Sequence, residues 1–237
     1  MAVNSVDISV DEGEIVAVMG PNGAGKTTFF NCITGVIPAT SGHIVFEGHD
    51  ITRERPWNIA RLGMSRTYQN IRLFDKATVL DNVRIGYHQH IESGFWPSLL
   101  KTGSMRREEE KIKKESLELL KFVGITGSYD DVAENLSYGD QRRLEVARVL
   151  AMKPKLVLLD EPTAGMNPDE TERMCELIES VRQTGIAILI IEHDMNVVMG
   201  ICDRIIVLNY GAKIAEGSPE EIQGNQEVIE AYLGKED

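Results

Sequence analysis

This sequence has few of the residues on which several classes of protein depend. Its three cysteines, Cys32, Cys175 and Cys202, are scattered without the spacing of metal ligands, so we interpret them as small core residues in a reducing compartment. Aromatic residues make up 6% of the chain, which predicts a core built mainly from aliphatic side chains. No run of about 18 or more apolar residues occurs, and we therefore expect no segment to span a bilayer.

Basic residues are also scarce relative to acidic ones. The 237 residues include 25 lysines and arginines against 37 aspartates and glutamates, a formal net charge of −12. Because binding to nucleic acid or to an anionic lipid surface needs a basic face, this balance argues against both. Residues 1–6 lack the basic and apolar regions of a secretory signal. We expect a cytoplasmic protein, which at a membrane would dock on another protein.

Short apolar runs alternate with helical segments along the chain. Residues 15–19, 156–159 and 186–191 are continuous apolar runs, which are typical of buried parallel strands. Residues 6–10 alternate apolar and polar side chains and predict a further strand, as does the segment 41–47. Alternating strands and helices indicate an α/β fold with a mostly parallel sheet that is covered on both faces.

One stretch interrupts this pattern. Residues 84–140 combine loop-like segments with a charged helix over 105–123 that has one apolar face. We predict a helical subdomain over about 84–140, inserted into an α/β core that is formed by about 1–83 and 141–237. The whole chain, 1–237, would then be a single domain.

A glycine-rich loop follows the first buried strand and precedes a helix. The loop consists of Gly20, Pro21, Asn22, Gly23, Ala24, Gly25, Lys26 and Thr27. Its glycines allow successive backbone amides to point at one spot, and the positive end of the helix dipole strengthens this anion site. The spacing is that of a Walker A motif, which predicts binding of a nucleoside triphosphate. We expect Lys26 to reach the β- and γ-phosphates, the Thr27 hydroxyl to bind Mg²⁺, and Thr28 to add a phosphate contact.

Two carboxylates follow the second buried strand. Asp160 and Glu161 end the run that begins at Leu156, which gives a Walker B pattern. Because the carboxyl ends of parallel strands meet at one edge of a sheet, this pair is expected beside the phosphate loop. We predict that Asp160 holds Mg²⁺, through water, and that Glu161 is the general base for the attacking water.

Two further polar residues follow predicted strands. His193 comes directly after the run 186–191 and would reach the γ-phosphate from the same edge. Alone, a histidine at a strand end is more often a packed or exposed residue, and only the other motifs favour the catalytic interpretation. Gln69 follows a short predicted strand over 64–67 and, on the residue pattern alone, is an ordinary loop glutamine.

The segment Leu136-Ser137-Tyr138-Gly139-Asp140-Gln141 resembles the signature of ATP-binding cassette (ABC) proteins, usually Leu-Ser-Gly-Gly-Gln. The other family motifs occur in the family's order, including a D-loop at 164–167. The resemblance implies an ABC nucleotide-binding domain, that is, a P-loop NTPase (RecA-like) core with an antiparallel β subdomain and an inserted helical subdomain. It also implies Mg-ATP hydrolysis in head-to-tail pairs, in which Ser137 and the Gly139 amide of one subunit contact the γ-phosphate held by the other. Gln69 would then sense Mg²⁺ or water.

A closer resemblance is to the LivG type, one of two ATPases of branched-chain amino acid importers. The segments that carry it are 66–74, 136–139 and 160–168. This resemblance implies uptake of branched-chain or other hydrophobic amino acids, driven by ATP. It further implies integral membrane permease subunits, a LivF-like second ATPase as heterodimer partner, and indirect action with a periplasmic or extracellular binding protein. The expected location is the inner face of the cell membrane, through the permeases, with no nucleic-acid partner.

The chain departs from the family pattern at two points. Family members usually carry an aromatic residue upstream of the P-loop that stacks on adenine, and no aromatic residue precedes Gly20. Either the natural start lies further upstream, or apolar contacts or the partner hold the adenine. Asp140 stands where glutamine is usual, and a carboxylate near a γ-phosphate is unfavourable unless it faces away or pairs with Arg142 or Arg143. We therefore hypothesise that this signature serves its composite site less well.

Other functions fit the motifs less well. A lipopolysaccharide-export ATPase has a similar signature and is the nearest alternative. A soluble ABC ATPase of DNA repair or translation would carry a coiled-coil insert, a basic face or a second cassette, and a P-loop kinase would lack the signature. His88 and His90 lie in a polar loop without further ligands, so they do not predict a metal site.

Overall fold

A computed structural model describes residues 2–90, 103–127 and 129–233. Its strands are β1 (Ile15–Met19), β2 (Val45–Phe46), β3 (His49–Asp50), β4 (Met64–Arg66), β5 (Leu156–Asp160), β6 (Ala187–Ile191), β7 (Arg204–Asn209) and β8 (Ala212–Gly217). Six of them form one sheet in the order β4-β5-β6-β1-β7-β8. The first five run parallel, and β8 pairs antiparallel with β7. The predicted α/β fold with a mostly parallel sheet is confirmed.

Helices connect these strands. They are α1 (Lys26–Ile33), α2 (Pro56–Leu62), α3 (Val79–Gly86), α4 (Gly103–Phe122), α5 (Tyr138–Leu150), α6 (Pro168–Arg182), α7 (Met195–Ile201), α8 (Pro219–Gln223) and α9 (Gln226–Leu233). Short 3-10 helices cover Tyr87–His90 and Ala133–Asn135. Among the residues that the structure describes, none of these helices has the length and hydropathy that a membrane span requires.

The sheet core is aliphatic, as the low aromatic content predicts. Every residue of β1, β5 and β6 is buried, because these strands lie inside the sheet and, apart from Met19 and Asp160 at their ends, carry only Val, Ile, Leu or Ala. Phe30 of α1 and Ile59 of α2 complete the cluster on one face. The three continuous apolar runs therefore became the three central strands.

The chain divides into two compact units. One comprises the described parts of residues 1–69 and 155–237, and the other spans Asn70–Pro154. The second unit contains α3, α4 and α5, which pack on one another. The subdomain limits near 84 and 140 stay a prediction; this compact unit also contains α3 and the whole of α5.

The predicted strand over 6–10 does not form. Lys213 Nζ donates to the Asp7 carbonyl at 2.6 Å, and Arg204 Nη2 donates to the Ser9 carbonyl at 2.7 Å. These side chains occupy carbonyls that a strand ladder would need, so the segment stays extended without pairing. The alternation was still informative, because Val6, Ile8 and Val10 pack against the core.

The separate antiparallel sheet formed by β2 and β3 is small. Only Val45–Phe46 of the predicted strand 41–47 is a strand, and it pairs with His49–Asp50. Beside this hairpin, the Ile44 amide donates to the Thr52 hydroxyl at 2.8 Å. A side chain thus replaces a backbone partner there and ends the ladder.

The sheet brings four strand ends to one edge. In the parallel register Asp160 of β5 lies beside Ile191 of β6, and Ile191 lies beside Val18 of β1. β4 pairs with β5 at the outer side. The residues that follow these strands, which include the P-loop and the predicted polar residues after β4 and β6, therefore emerge together.

Candidate active site

The P-loop takes its shape from glycines that are pressed against neighbouring backbone. Gly20 and Gly25 have φ angles of 145° and 102°, a region that residues with a Cβ rarely adopt. A Cβ at Gly20 would lie 2.0 Å from the Leu208 carbonyl oxygen, and one at Gly25 would lie 2.3 Å from the Ala2 carbonyl oxygen. The turn between β7 and β8 also braces the loop, because the Gly211 amide donates to the Ala24 carbonyl at 3.0 Å.

The start of α1 is suited to an anion. Its N-cap is Gly25, which supplies no side-chain hydrogen bond, and its first turn contains no acidic residue. The first amides of a helix have no partner within the helix, and the helix dipole is positive at this end. A phosphate group is therefore a fitting acceptor for these amides.

The Lys26 side chain turns back toward the first residues of the P-loop. Its Nζ donates to the Gly20 carbonyl at 2.6 Å and to the Pro21 carbonyl at 3.1 Å. Burial lowers the pKa of Lys26, while the nearby carboxylates of Glu161 and Asp160 act in the opposite direction. Lys26 therefore lies near the two carboxylates at the end of β5.

Asp160 forms a buried ion pair that the sequence did not predict. Arg66 Nη2 lies 2.6 Å from Asp160 Oδ2, and the two side chains are 5% and 6% exposed. Arg66 Nη1 also donates to Asn31 Oδ1 of α1 at 2.8 Å. The guanidinium lies over the rings of Phe30 and Tyr68. Arg66 thus joins β4, β5 and α1 beneath the phosphate loop.

Glu161 and Gln69 are in direct contact. Gln69 Nε2 donates to Glu161 Oε2 at 2.9 Å, across 92 residues of sequence. Glu161 has a φ of 49°, an unusual conformation for a residue other than glycine. Its amide donates to the Ile191 carbonyl at 2.9 Å, which holds this strained turn at the end of β5.

The end of β6 is organised by a second buried carboxylate, Glu192, which is 1% exposed. Its Oε1 accepts hydrogen bonds from the Thr163 amide at 3.1 Å and from the Thr163 hydroxyl, and its Oε2 accepts one from the His193 amide at 3.0 Å. The His193 side chain itself is 62% exposed. Glu192 therefore fixes the backbone that carries His193 to the segment that follows Glu161.

The signature segment lies in the second compact unit, at the start of α5. Ser137 is the N-cap, and its Oγ accepts a hydrogen bond from the Asp140 amide at 3.2 Å. The Ser137 hydroxyl donates to Asp140 Oδ2 at 2.9 Å, and Asp140 Oδ1 pairs with Arg143. The carboxylate is thus neutralised by Arg143, one of the two arginines that the sequence offered.

Sequence reasoning missed Arg66 and Glu192. The sequence pattern gives Arg66 only as part of the segment 66–74, and Glu192 only as the residue before His193. The available signal was a charged residue at or directly after an apolar strand, where it must be buried and therefore paired.

Comparisons with known proteins agree with this geometry. A family model described as ABC transporter matches residues 3–164, and one described as branched-chain amino acid ATP-binding cassette transporter matches 212–237. The chain belongs to the ABC transporter ATP-binding family. It is therefore an ATPase that binds ATP, and the P-loop lies within the matched range.

Curated relatives align with the cassette along its length. The high-affinity branched-chain amino acid transport ATP-binding protein LivG of Escherichia coli K12 is 45% identical over 236 residues, 99% of this chain and 92% of that protein. BraF of Pseudomonas aeruginosa, described in the same words, is 44% identical with the same coverage. A probable LivG of Archaeoglobus fulgidus is 40% identical over 100% of this chain and 91% of its own length.

Solved structures of ABC cassettes share the fold. The ADP conformation of an ATP-binding cassette of an ABC transporter gives a TM-score of 0.84 at 33% identity, over 99% of this chain and 93% of the other. A dimeric bacterial ABC transporter cassette gives 0.78 at 26% identity, over 92% and 90%. The predicted ABC nucleotide-binding fold is confirmed.

Proposed function

We propose that this chain is the ATP-binding subunit of an ABC importer, in which ATP hydrolysis drives uptake of branched-chain or other hydrophobic amino acids. The observation that carries this proposal is the near full-length similarity to LivG and BraF proteins at 44–45% identity. The match of residues 212–237 to a branched-chain transporter model favours it over a lipopolysaccharide-export ATPase.

The P-loop holds the phosphates in this proposal. The backbone amides from Gly25 to Thr28, at the start of α1, would converge on the β- and γ-phosphates, with the helix contributing its dipole. Lys26 adds a positive charge that exchanges its carbonyl partners on Gly20 and Pro21 for phosphate oxygens. The buried Arg66–Asp160 ion pair, which is also tied to Asn31 of α1, supports these amides.

The protein groups at this edge fit Mg²⁺, which prefers oxygen ligands and retains several waters. Candidate ligands are the Thr27 hydroxyl, the Asp160 carboxylate and the Gln69 carbonyl oxygen. We assign the Gln69 carbonyl oxygen and the Asp160 carboxylate to the metal, because Gln69 contacts Glu161 and Asp160 ends β5 at the same edge. When bound, Mg²⁺ would neutralise charge on the phosphates.

Glu161 is the general base. Its carboxylate would accept a proton from the attacking water, and the hydrogen bond from Gln69 orients it for that task. His193 would contact the γ-phosphate from the adjacent strand end, because its exposed side chain projects from a backbone that Glu192 holds. The shared carboxyl edge of β5 and β6 supports both assignments.

The second half of each site would come from a partner. We propose a head-to-tail dimer with a LivF-like ATPase, in which Ser137 and the Gly139 amide face the nucleotide of the other subunit. ATP would draw the two subunits together and hydrolysis would release them, which would move permease subunits docked on the cassettes. Through those permeases the chain would lie at the inner face of the cell membrane, with a periplasmic or extracellular binding protein acting indirectly.

Reconstitution tests this assignment. The chain would be assembled in liposomes with its candidate permeases and second ATPase, and ATP hydrolysis measured with leucine-loaded or ligand-free binding protein. We expect loaded binding protein to raise the hydrolysis rate and to bring labelled leucine into the vesicles. A complex that hydrolysed ATP without moving any hydrophobic amino acid would contradict the import role.

A further inference from the structure

The carboxyl-terminal helix reaches the P-loop through one side chain. Tyr232 of α9 accepts a hydrogen bond at its hydroxyl oxygen from the Gly20 amide, at 2.8 Å and across 212 residues of sequence. Gly20 is the first residue of the P-loop. Tyr232 lies outside the P-loop and the other nucleotide-binding motifs.

The placement of Tyr232 follows from how α9 packs. Val228, one helical turn earlier, is 5% exposed and anchors the same face of the helix. The helix packs on β8 and α8. At its start the Asn225 side chain accepts from the Val228 amide at 3.2 Å, which fixes the first turn. The Tyr232 side chain is 42% exposed, and partial burial of its ring raises the pKa of the hydroxyl.

Gly20 transmits this contact to the charged end of the loop. Its amide donates to Tyr232, while its carbonyl accepts from Lys26 Nζ at 2.6 Å. Gly20 has little room to adjust, because a Cβ there would lie 2.0 Å from the Leu208 carbonyl oxygen. A shift of Tyr232 would therefore move Gly20, whose carbonyl accepts the hydrogen bond from Lys26.

We propose that Tyr232 is a positioning residue for the P-loop, so that docking of α9 and binding of ATP are thermodynamically linked. The inference rests on the proposed phosphate site at residues 20–28. Because such linkage is reciprocal, a docked α9 favours ATP binding and bound ATP stabilises the docked helix. The carboxyl-terminal segment would then act on nucleotide affinity without touching the nucleotide.

The substitution Tyr232→Phe removes the hydroxyl and keeps the ring. We expect the Kd of the full chain for a fluorescent ATP analogue to rise about three- to tenfold, the range that one lost hydrogen bond allows. In the assembled transporter KM for ATP would rise while kcat changes little, since the reacting groups are untouched. Tyr129→Phe, in the other compact unit, is the matched control and leaves both constants unchanged.

Hydrogen exchange measures the linkage directly. ATP is expected to slow amide exchange over residues 226–233 in the parent chain, and to do so much less in Tyr232→Phe. Equal affinity in parent and variant, or equal slowing by ATP, would overturn the inference. Lys26→Ala tests the phosphate site separately. If Lys26→Ala bound the analogue as tightly as the parent, the assignment of the phosphate site would be wrong. If Lys26→Ala lost binding but Tyr232→Phe did not, only the role of Tyr232 would be wrong.

Discussion

Replacing Arg66 by methionine should destabilise the nucleotide-free protein strongly. The Arg66 and Asp160 side chains are 5% and 6% exposed and 2.6 Å apart, so Arg66→Met leaves a carboxylate buried without its counter-charge. Removing one partner of a buried pair costs about 3–5 kcal/mol. The lost hydrogen bond to Asn31, 2.8 Å in the structure, acts in the same direction.

Thermal unfolding followed by circular dichroism measures this effect. For a chain of this size, about 1 kcal/mol corresponds to roughly 2–4 °C, so Arg66→Met should lower Tm by roughly 6–20 °C. Arg84→Met is the matched control, because Arg84 pairs with Asp81 at 3.0 Å on the surface, with side chains 39% and 48% exposed. An exposed pair contributes about 0–1 kcal/mol, and Tm should fall by less than about 4 °C.

A double variant decides the cause. Arg66→Met combined with Asp160→Asn removes both charges, and most of the lost stability should return. If the double variant were as unstable as Arg66→Met alone, loss of packing or of the Asn31 contact would explain the result instead. Equal small losses in Arg66→Met and Arg84→Met would refute the reasoning altogether.

Three further substitutions test the chemistry and its supports. Glu161→Gln should lower ATP hydrolysis at least about 100-fold and trap an ATP-bound dimer on size-exclusion chromatography, since it removes the general base; hydrolysis at the parent rate would contradict that role. Asp140→Gln should raise ATPase activity of the assembled transporter roughly two- to tenfold, because the Ser137 hydroxyl no longer donates to a carboxylate; an unchanged rate would count against a weakened signature. Glu192→Gln should lower the free energy of unfolding, measured in urea, by about 2 kcal/mol. The NH2 group of the glutamine would face the N–H donors of Thr163 or His193, where Glu192 has an acceptor. A variant as stable as the parent would show that these contacts contribute little.

Much of the fold was predictable because its signals are local. The runs 15–19, 156–159 and 186–191 are too apolar to lie anywhere but inside a sheet, and all three form central strands. The segment 6–10 shows where local pattern fails. Its alternation identified the half-buried side chains that pack on the core, but Lys213 and Arg204, about 200 residues away, occupy the carbonyls that pairing would need.

The sequence by itself determined the chemistry of the phosphate loop. The glycines, Lys26 and Thr27 are adjacent in the chain, so their spacing alone defines an anion site at a helix start. Family motifs predict that Asp160, Glu161 and Gln69 act in the same reaction.

Only the tertiary structure decided what each of these groups touches. Arg66 meets Asp160 across 94 residues, and Tyr232 meets Gly20 across 212. Such pairs depend on the strand order β4-β5-β6-β1 and on how α9 packs on β8, which no local periodicity encodes. The sequence shows which charged groups are present. Their partners depend on the sheet, which brings distant strand ends to one edge.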